Sequence, residues 1–429
     1  MKRILGALLF SVLPFACVFS QAPNTWPFVG NGNSPFRMEV DPQNNFLYVG
    51  GNFLSINNAN SPCVARYDGA NWWAMGQGFG GVIQPWVTSF SFYNGVIAAG
   101  NFLSSGNTPV NYIAEWNGTS WQPLPGGGTD SMINCLVTYN GELYAGGSFT
   151  QAGNVSSNYI AKWNGTSWSA VNTSGLSQAV VAMTIYNGAL YVASGNGIFM
   201  DAGNGFVNCG NFLSSSGNVY FYCLIPYGGE LYASGVFDGV QVGINYTACN
   251  NIARLGTNGW SDVGGFVSSY FYYPVTDMMV CGNKLFIDGD MDSINNSLYA
   301  NGFAMWDGTN WSTLNSGPSA AGGIRVFHGD IYASMRNGVM KYDTALCSVN
   351  ETTVFPAGIF PDPCSNKIST RLPQNKKMNS VVFFDVNGKE LKRYPFFSEY
   401  DVSEFAPGIY FVEAIADDGQ RYMAKFVKQ

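Results

Sequence analysis

The chain has 429 residues, of which 11% are charged, against a usual share of about 25%, and Gly, Asn, Ser and aromatic residues take the place of the missing charges. Aromatic residues make up 15% of the chain, so the composition is not that of a disordered protein. A net charge of −7 argues against binding to nucleic acid or to an anionic membrane surface. The composition favours short strands joined by tight turns.

The N-terminal residues predict a secretory signal peptide over residues 1–20. Lys2 and Arg3 form its positive region, residues 4–18 form its mostly apolar core, and Ser20 precedes the expected cleavage point. The apolar run is too short for a transmembrane helix. We therefore expect the protein to be exported.

Nine cysteines and one histidine limit the metal chemistry that the sequence offers. Cys17 leaves a lipoprotein interpretation open, although Pro14 fits poorly before a lipidated cysteine. The other cysteines are able to form disulfides after export, and the sequence does not define their pairing. Cys135 and Cys281 lie in apolar runs that are typical of buried free thiols. Because no CxxC motif occurs, a Cys/His zinc site is not predicted.

A segment of the form LYxGGxF recurs about every 47 residues. An apolar run ending in Asn-Gly, the preferred pair for a tight hairpin turn, precedes several copies. A third run such as IAKWNG and a fourth run that begins with tryptophan follow most of them. The recurring Trp and Tyr are predicted to fill the space between neighbouring sheets. The seven copies start at Leu47, Val96, Leu143, Leu190, Leu231, Leu285 and Ile331.

Four short antiparallel strands in each repeat are typical of β-propeller blades. The segment Trp26–Gly30 matches a fourth strand with no first three before it, and the last repeat, from Ile324 to Asp343, lacks a fourth strand. We expect these two segments to pair and close a ring. The sequence thus predicts an all-β fold with a seven-bladed β-propeller over residues 21–343. The weak fourth strand at 205–207 leaves six or eight blades open.

The repeats resemble kelch and WD40 propellers in architecture and, more closely, the surface propeller repeats of exported proteins of Bacteroidota. After a linker over residues 344–358, residues 359–429 resemble a type A C-terminal sorting domain of the type IX secretion system. Strands separated by turn residues predict a small β-sandwich there. The residues that carry the sorting motifs are Pro361, Pro363, Asp385, Gly388, Asp401, Ser403, Gly408, Tyr410, Lys425 and Lys428.

This second resemblance implies a cargo label, which the outer-membrane translocon of the type IX secretion system reads and which is usually cleaved afterwards. The translocon is then the partner of the C-terminal domain. The protein is expected to pass through the periplasm and to be secreted or held at the outer cell surface. A generic accessory sandwich is the alternative.

Catalytic side chains are scarce. The single histidine, His328, aligns with a turn between first and second strands, and Ser-His-Asp catalysis would depend on it. Asp288, Asp290 and Asp292 resemble a calcium loop in part, but they lack the glycine and glutamate that the EF-hand pattern requires. Their alignment with the repeat favours a strand edge. We predict no catalytic residue and no cofactor, with calcium at these aspartates as the alternative.

The connections after second strands and between repeats are longer and more variable than the others, and both kinds emerge on one face of a propeller. We predict a ligand site on that face, because aromatic rings among Asn and Ser suit sugar rings or protein contacts. Alternatively, these rings fill the channel or the seams between blades. The candidate residues are Trp86, Tyr246, Tyr270, Phe271, Tyr272 and Tyr273.

These observations predict a secreted or cell-surface module that binds a glycan or protein ligand without catalysis. The alternative is a secreted propeller hydrolase or lyase that acts on polysaccharide or peptide. A glycosidase would need two carboxylates placed together, and the sequence does not reveal such a pair.

Overall fold

The computed structural model describes residues 28–264, 266–267, 275–294, 298–300, 302–313, 321–342, 355–356, 358–360, 366–371, 378–384, 390–395, 399–406, 408–416 and 421–428. The chain divides into two compact units, Met1–Cys347 and Ser348–Gln429. Every regular element in these ranges is a β-strand. No helix long and apolar enough to span a membrane is found in them.

The first unit consists of antiparallel sheets, which we call blades and number in chain order. The strands up to blade 3 are β1 (Phe28–Asn31), β2 (Pro35–Asp41), β3 (Phe46–Gly51), β4 (Val64–Tyr67), β5 (Trp72–Ala74), β6 (Trp86–Ser91), β7 (Val96–Asn101), β8 (Ser104–Ser105), β9 (Thr108–Pro109), β10 (Ile113–Trp116), β11 (Trp121–Pro123), β12 (Ile133–Tyr139), β13 (Glu142–Gly147), β14 (Gln151–Ala152), β15 (Val155–Ser156), β16 (Ile160–Trp163) and β17 (Trp168–Ala170). Blade 1 contains β2 to β5, blade 2 contains β6, β7, β10 and β11, and blade 3 contains β12, β13, β16 and β17.

The remaining strands of this unit follow the same plan. They are β18 (Val180–Tyr186), β19 (Ala189–Ser194), β20 (Gly197–Asp201), β21 (Phe206–Leu213), β22 (Tyr220–Tyr227), β23 (Glu230–Val236), β24 (Gly239–Val242), β25 (Asn245–Ala248), β26 (Ile252–Gly256), β27 (Gly259–Asp262), β28 (Phe266–Val267), β29 (Asp277–Cys281), β30 (Lys284–Asp288), β31 (Ser293–Ile294), β32 (Leu298–Tyr299), β33 (Phe303–Trp306), β34 (Trp311–Thr313), β35 (Ala321–Phe327), β36 (Asp330–Met335) and β37 (Gly338–Tyr342). Blade 4 contains β18 to β21, blade 5 contains β22, β23, β26 and β27, blade 6 contains β29, β30, β33 and β34, and blade 7 contains β35 to β37 together with β1.

The first strands of the blades surround a common centre. Each contacts the first strand of the next blade, and β35 of blade 7 contacts β2 of blade 1. β1 pairs antiparallel with β37, with Phe28 opposite Met340 and Asn31 opposite Gly338. Trp26, on which the predicted pairing of the chain ends was based, lies outside the described residues. The described part of this unit has the all-β propeller arrangement that the repeat predicts.

The second glycine of LYxGGxF is required by a close approach of two strands. A Cβ atom on Gly51, Gly100 or Gly147 would lie 2.2 to 2.3 Å from a backbone oxygen at the start of the first strand. A β-bulge interrupts the register of the first strand at the same place, for example between Val87 and Ser89. The repeated glycine is therefore required by close strand approach at a bulge.

In blades 1 to 6, the aromatic residue that begins the fourth strand connects the blade to the preceding one. The indole N–H donates to a backbone carbonyl at or just after the preceding fourth strand, and Trp72 makes this bond to β1. In blade 4, Phe206 takes the place of the tryptophan, and its backbone N–H donates to the carbonyl of Ser174 instead. The indole donors and their acceptors are Trp72 with Val29, Trp121 with Met75, Trp168 with Gly127, Trp260 with Cys209, and Trp311 with Val263.

We expect Trp121→Phe to lower the free energy of unfolding by about 2 kcal/mol, since the hydrogen bond contributes about 1 kcal/mol and the smaller ring leaves a cavity. Trp121 is only 1% exposed. The control is Trp73→Phe, because Trp73 is 46% exposed and should change stability by less than about 0.5 kcal/mol. Urea unfolding measures both, and equal losses in the two variants would contradict the role of the Trp121 bond.

A second set of bonds joins the blades at their tight turns. A tyrosine at the end of the first strand donates to the first-to-second-strand turn of the next blade; for example, the Tyr93 hydroxyl lies 2.8 Å from the Gly141 carbonyl. Tyr139, Tyr186 and Tyr227 repeat this bond to Gly188, Gly229 and Asn283. At the seam between blades 7 and 1, His328 lies in the corresponding turn, and its Nε2 is 2.7 Å from Asn45 Nδ2.

Blade 4 is extended by a hairpin that belongs to blade 5 in the chain. Strands β24 and β25 lie between the second and third strands of blade 5, but β24 pairs with β21, the fourth strand of blade 4. The result is a six-stranded sheet. Val240 of the hairpin and Phe212 of blade 4 are buried in one cluster with Trp260 of blade 5. Blades 4 and 5 therefore share both a sheet and a core.

The second unit contains two sheets. Its strands are β38 (Phe355–Pro356), β39 (Gly358–Phe360), β40 (Lys367–Arg371), β41 (Met378–Phe384), β42 (Glu390–Pro395), β43 (Tyr400–Asp401), β44 (Gly408–Ala416) and β45 (Arg421–Lys428). One sheet has the order β38-β45-β44-β41-β42 and the other the order β39-β40-β43. Phe383, Tyr400, Val412 and Phe426 lie in the shared core of the two sheets.

Candidate functional site

The sequence predicts a long connection between the second and third strands, but the connection is short in two blades. In blade 4 it consists only of Gly195 and Asn196, and in blade 7 only of Arg336 and Asn337. Gly195 adopts a φ of 58°, which suits a two-residue hairpin turn. The expectation is wrong for these two blades, because they lack the Asn/Ser/Gly insertion that lengthens the connection elsewhere.

A recess of 350 Å³ lies beside the short connection of blade 4. Its other walls come from the segment before β18 and from the connection between β21 and β22. All three segments belong to the kinds of connection that the sequence analysis places on one face of the propeller. The residues that line the recess are Gln178, Gly195, Asn196, Phe212, Leu213, Ser214, Gly217, Asn218 and Val219.

Three amide side chains in this lining are exposed and available for a ligand. Gln178, Asn196 and Asn218 make no side-chain hydrogen bond to any residue that the structure describes. Each amide offers both donors and an acceptor. The backbone beneath them is fixed, since the Asn196 carbonyl accepts the Phe212 N–H at 2.6 Å. The recess thus presents neutral polar groups on a rigid support.

Tyr246 lies next to this recess on the exposed face of the shared sheet. Leu213, which lines the recess, is paired with Gly239 of the hairpin. A Cβ atom on Gly239 would lie 2.4 Å from the Tyr246 ring, so the ring covers this glycine. Tyr246 is 58% exposed and Leu213 is 38% exposed. An aromatic and apolar surface therefore continues from the edge of the recess.

Of the other predicted aromatic contacts, the structure describes Trp86, which is not brought to this place. Trp86 is half-buried at the start of β6 in blade 2, where it pairs with Asn101. Tyr270, Phe271, Tyr272 and Tyr273 lie outside the described residues. The recess and its amides are not indicated by any motif in the sequence. The signal that would have indicated it is the spacing from Leu190 to Leu231, the shortest between copies of the repeat.

A smaller cavity of 220 Å³ occupies the centre of the propeller, lined by residues from the first strand of every blade. Arg325 of blade 7 donates to Asp277 of blade 6 at 2.6 Å and to Glu39 of blade 1 at 3.0 Å. Arg37 and the thiol-bearing residue Cys135 also line this cavity. The ion pairs that line this cavity thus join blades 6 and 7 to blade 1, which is distant from them in sequence.

Asp288 is the last residue of β30 and is fully buried. It lies opposite Asp277 in the neighbouring strand, and its Oδ1 accepts the Thr276 hydroxyl at 3.0 Å. Its Oδ2 has no hydrogen-bond partner within the described part of the chain. Burial first, and then the charge of Asp277, raises the pKa of Asp288 well above its ordinary value. A carboxyl group without solvent access is not placed to act on a substrate.

The structure describes no group of three or more His, Cys, Asp or Glu side chains that is placed to hold a metal ion. Burial raises the pKa of Asp290, and the neighbouring charge of Asp292 acts in the same direction. Whether calcium binds at Asp288, Asp290 and Asp292 stays a matter of sequence-based prediction.

In the second unit, several motif residues hold the segment before β44. The Asp401 carboxylate accepts the Ser403 N–H at 2.9 Å, which keeps the pKa of Asp401 below its usual value. The Tyr410 hydroxyl donates to the Ala406 carbonyl, and Gly408 begins β44. Lys425 and Lys428 belong to β45. Pro361, Pro363, Asp385 and Gly388 lie outside the described residues.

Comparisons with known families and structures match both units. Residues 358–429 match the secretion system C-terminal sorting domain, and residues 19–187 match the Rax2 C-terminal beta propeller domain. No curated protein matches the chain.

Two solved structures have similar chains. One is PorZ, an essential surface component of the type IX secretion system of Porphyromonas gingivalis: 14% identity, TM-score 0.42, covering 92% of this chain and 59% of that one. The other is the extracellular domain assigned to the hybrid two component system BT4673 from B. thetaiotaomicron: 14% identity, TM-score 0.47, covering 95% and 59%. This chain therefore spans little more than half of either structure.

The protein is a β-propeller protein that is exported to the cell surface or secreted. It belongs to the proteins that carry a type IX secretion system C-terminal sorting domain, and this match implies that the domain interacts with the secretion machinery.

Proposed function

We propose that the protein binds a neutral glycan outside the cell, at the recess between the loops of blades 3, 4 and 5. The observation that carries this proposal is the set of three exposed amides, Gln178, Asn196 and Asn218, in one recess. The Tyr246 ring covers Gly239, which is paired with Leu213 of the lining. Sugar hydroxyl groups need donors and acceptors side by side, and aromatic rings pack against the apolar face of a sugar.

Binding without catalysis is the function that this lining supports. The described lining residues contain no carboxyl, imidazole or thiol group, so they offer no general acid or base. His328 lies in the turn at the seam between blades 7 and 1 and is hydrogen-bonded to Asn45. The volume of 350 Å³ is in the range of small-molecule sites and fits a few sugar units of a longer chain.

A glycan array probed with the purified full chain tests the proposal. We expect binding to a limited set of neutral glycans, with affinity reduced about threefold to tenfold by Asn196→Ala or Asn218→Ala, because each change removes one or two hydrogen bonds. Tyr246→Ala should cost a similar factor through the lost ring contact.

The matched control is Asn60→Ala, an exposed amide in the connection between the second and third strands of blade 1. It should leave binding unchanged. If a variant that combines Gln178→Ala, Asn196→Ala and Asn218→Ala binds as the unaltered protein does, the recess is not the site. Release of sugar products from a bound glycan would replace the binding function with an enzymatic one.

A further inference from the structure

Arg37 is a half-buried cation that lines the central cavity. Its guanidinium makes no hydrogen bond or ion pair with any residue that the structure describes. The other arginine of the cavity, Arg325, is engaged with Asp277 and Glu39, and Arg254 of blade 5 is paired with Glu230. A half-buried guanidinium without a protein partner keeps its donors available to a bound anion.

Arg37 lines the central cavity together with cysteines of two other blades. Arg37 belongs to blade 1, whereas Cys135 and Cys223 belong to blades 3 and 5. Burial raises the pKa of both thiols to about 12, and in both cases the positive charge of Arg37 opposes that rise. All three residues line the cavity, so the Arg37 side chain faces the same space as these two cysteines.

The Ser89 hydroxyl occupies the equivalent position on the next blade. Arg37 and Ser89 occupy equivalent positions, each directly after the bulge of its first strand, opposite Gly50 and Ala99. The Ser89 oxygen accepts the N–H of Leu136 at 3.1 Å. In the described part of the chain its own O–H has no acceptor. Among the described residues, the cavity lining therefore includes two unused kinds of donor, a guanidinium and a hydroxyl, at equivalent positions of neighbouring blades.

The acidic groups of the cavity do not occupy these donors. Glu39 and Asp277 both accept from Arg325, so they form a separate bridge between blades 6, 7 and 1. The volume of 220 Å³ compares with about 30 Å³ for a water molecule in the liquid, which leaves room for a small organic ion. A polymer chain would not fit within it.

We propose that Arg37 and Ser89 form a subsite for a small oxyanion, a carboxylate or a phosphate, in the centre of the propeller. The planar guanidinium donates to two oxygens of such a group at once, and the Ser89 hydroxyl supplies a further bond. This subsite is separate from the recess of blade 4, so it does not rest on the glycan proposal.

Isothermal titration calorimetry of the full chain with acetate, glucuronate and inorganic phosphate tests the subsite. We expect the unaltered protein to bind at least one of them and Arg37→Met to weaken that binding tenfold or more. Ser89→Ala should weaken it about threefold to tenfold. Tighter binding of glucuronate or acetate identifies the anion as a carboxylate, and tighter binding of phosphate identifies it as a phosphate.

Arg336→Met is the matched control, because Arg336 is exposed in a turn and does not line the cavity. It removes the same charge and should leave binding unchanged. Arg37→Lys keeps the charge but lacks the planar guanidinium, and we expect it to bind the anion with intermediate affinity. This variant replaces Arg37→Met in the test if the methionine variant does not fold. The subsite is disproved if none of the three anions binds, or if Arg37→Met and Arg37→Lys bind as the unaltered protein does.

Discussion

Replacing Asp288 with alanine is expected to stabilise the protein by about 1–3 kcal/mol at pH 7, because the change removes a buried carboxyl oxygen that has no partner among the described residues. Asp288 is fully buried and its strand places it opposite Asp277. Alanine is already accepted at this position of the repeat, since Ala99 and Ala193 occupy it in blades 2 and 4. The variant therefore needs no rearrangement of the backbone.

The stabilisation should depend on pH in a defined direction. The pKa of Asp288 is raised in the folded protein, above an ordinary value of 3.8. Below that value both folded and unfolded chains hold the proton, and the variant loses only the Thr276 hydrogen bond, about 1 kcal/mol. As the pH rises through the interval above 3.8, the unaltered protein loses stability, and the advantage of Asp288→Ala grows.

Urea unfolding at several pH values between 4 and 8 measures this difference. Asp262→Ala is the control, because Asp262 is exposed and its removal should give no such pH dependence. Parallel stability profiles for the unaltered protein and Asp288→Ala would contradict the interpretation of Asp288 as a buried acid that resists ionisation.

Arg325→Met is expected to destabilise the protein by about 3–5 kcal/mol, since it leaves a buried carboxylate without its counter-ion. The Asp277 side chain is only 3% exposed, and the Arg325 guanidinium lies 2.6 Å from it. The same guanidinium reaches Glu39 of blade 1 at 3.0 Å. One side chain thus links blade 7 to both of its neighbours.

A double-mutant cycle in urea separates the lost pair from a general loss of packing. In a protein that already carries Asp277→Asn, Arg325→Met should cost much less than it does alone, because the uncompensated charge is gone. Arg254→Met provides the control, as its bridge to Glu230 is about 30% exposed on both sides and should contribute about 0–1 kcal/mol. Equal costs of Arg325→Met in the two backgrounds would disprove the coupling.

The repeat could be predicted from the sequence because the residues that mark its turns and strands act locally. Asn-Gly turns, the paired glycines and the leading tryptophans each report on a few neighbouring residues, and the structure shows why each is needed. Trp121 forms a bond to Met75, and Gly100 lies too close to the Trp86 carbonyl for any side chain. Such requirements leave a visible pattern in every copy.

The recess and the central charges could not be predicted because they depend on which distant segments meet. Asn196 is unremarkable in the sequence; it becomes a wall of the recess only because residues 214–219 pass beside a shortened connection. The alignment of Asp288 with Gly50 indicates a strand edge, but not that Asp277 stands opposite. The alignment also does not show that Arg325 of the next blade pairs with Asp277.

The hairpin β24–β25 has a consequence for how the protein opens in solution. A segment of blade 5 completes the sheet of blade 4. The two blades therefore cannot separate from each other without breaking the strand pair between β21 and β24. The two should therefore exchange their amide hydrogens as one cooperative unit, whereas blades 1, 2 and 3 have no such strand in common. Local unfolding of the propeller would then begin elsewhere in the ring and leave the floor of the recess intact.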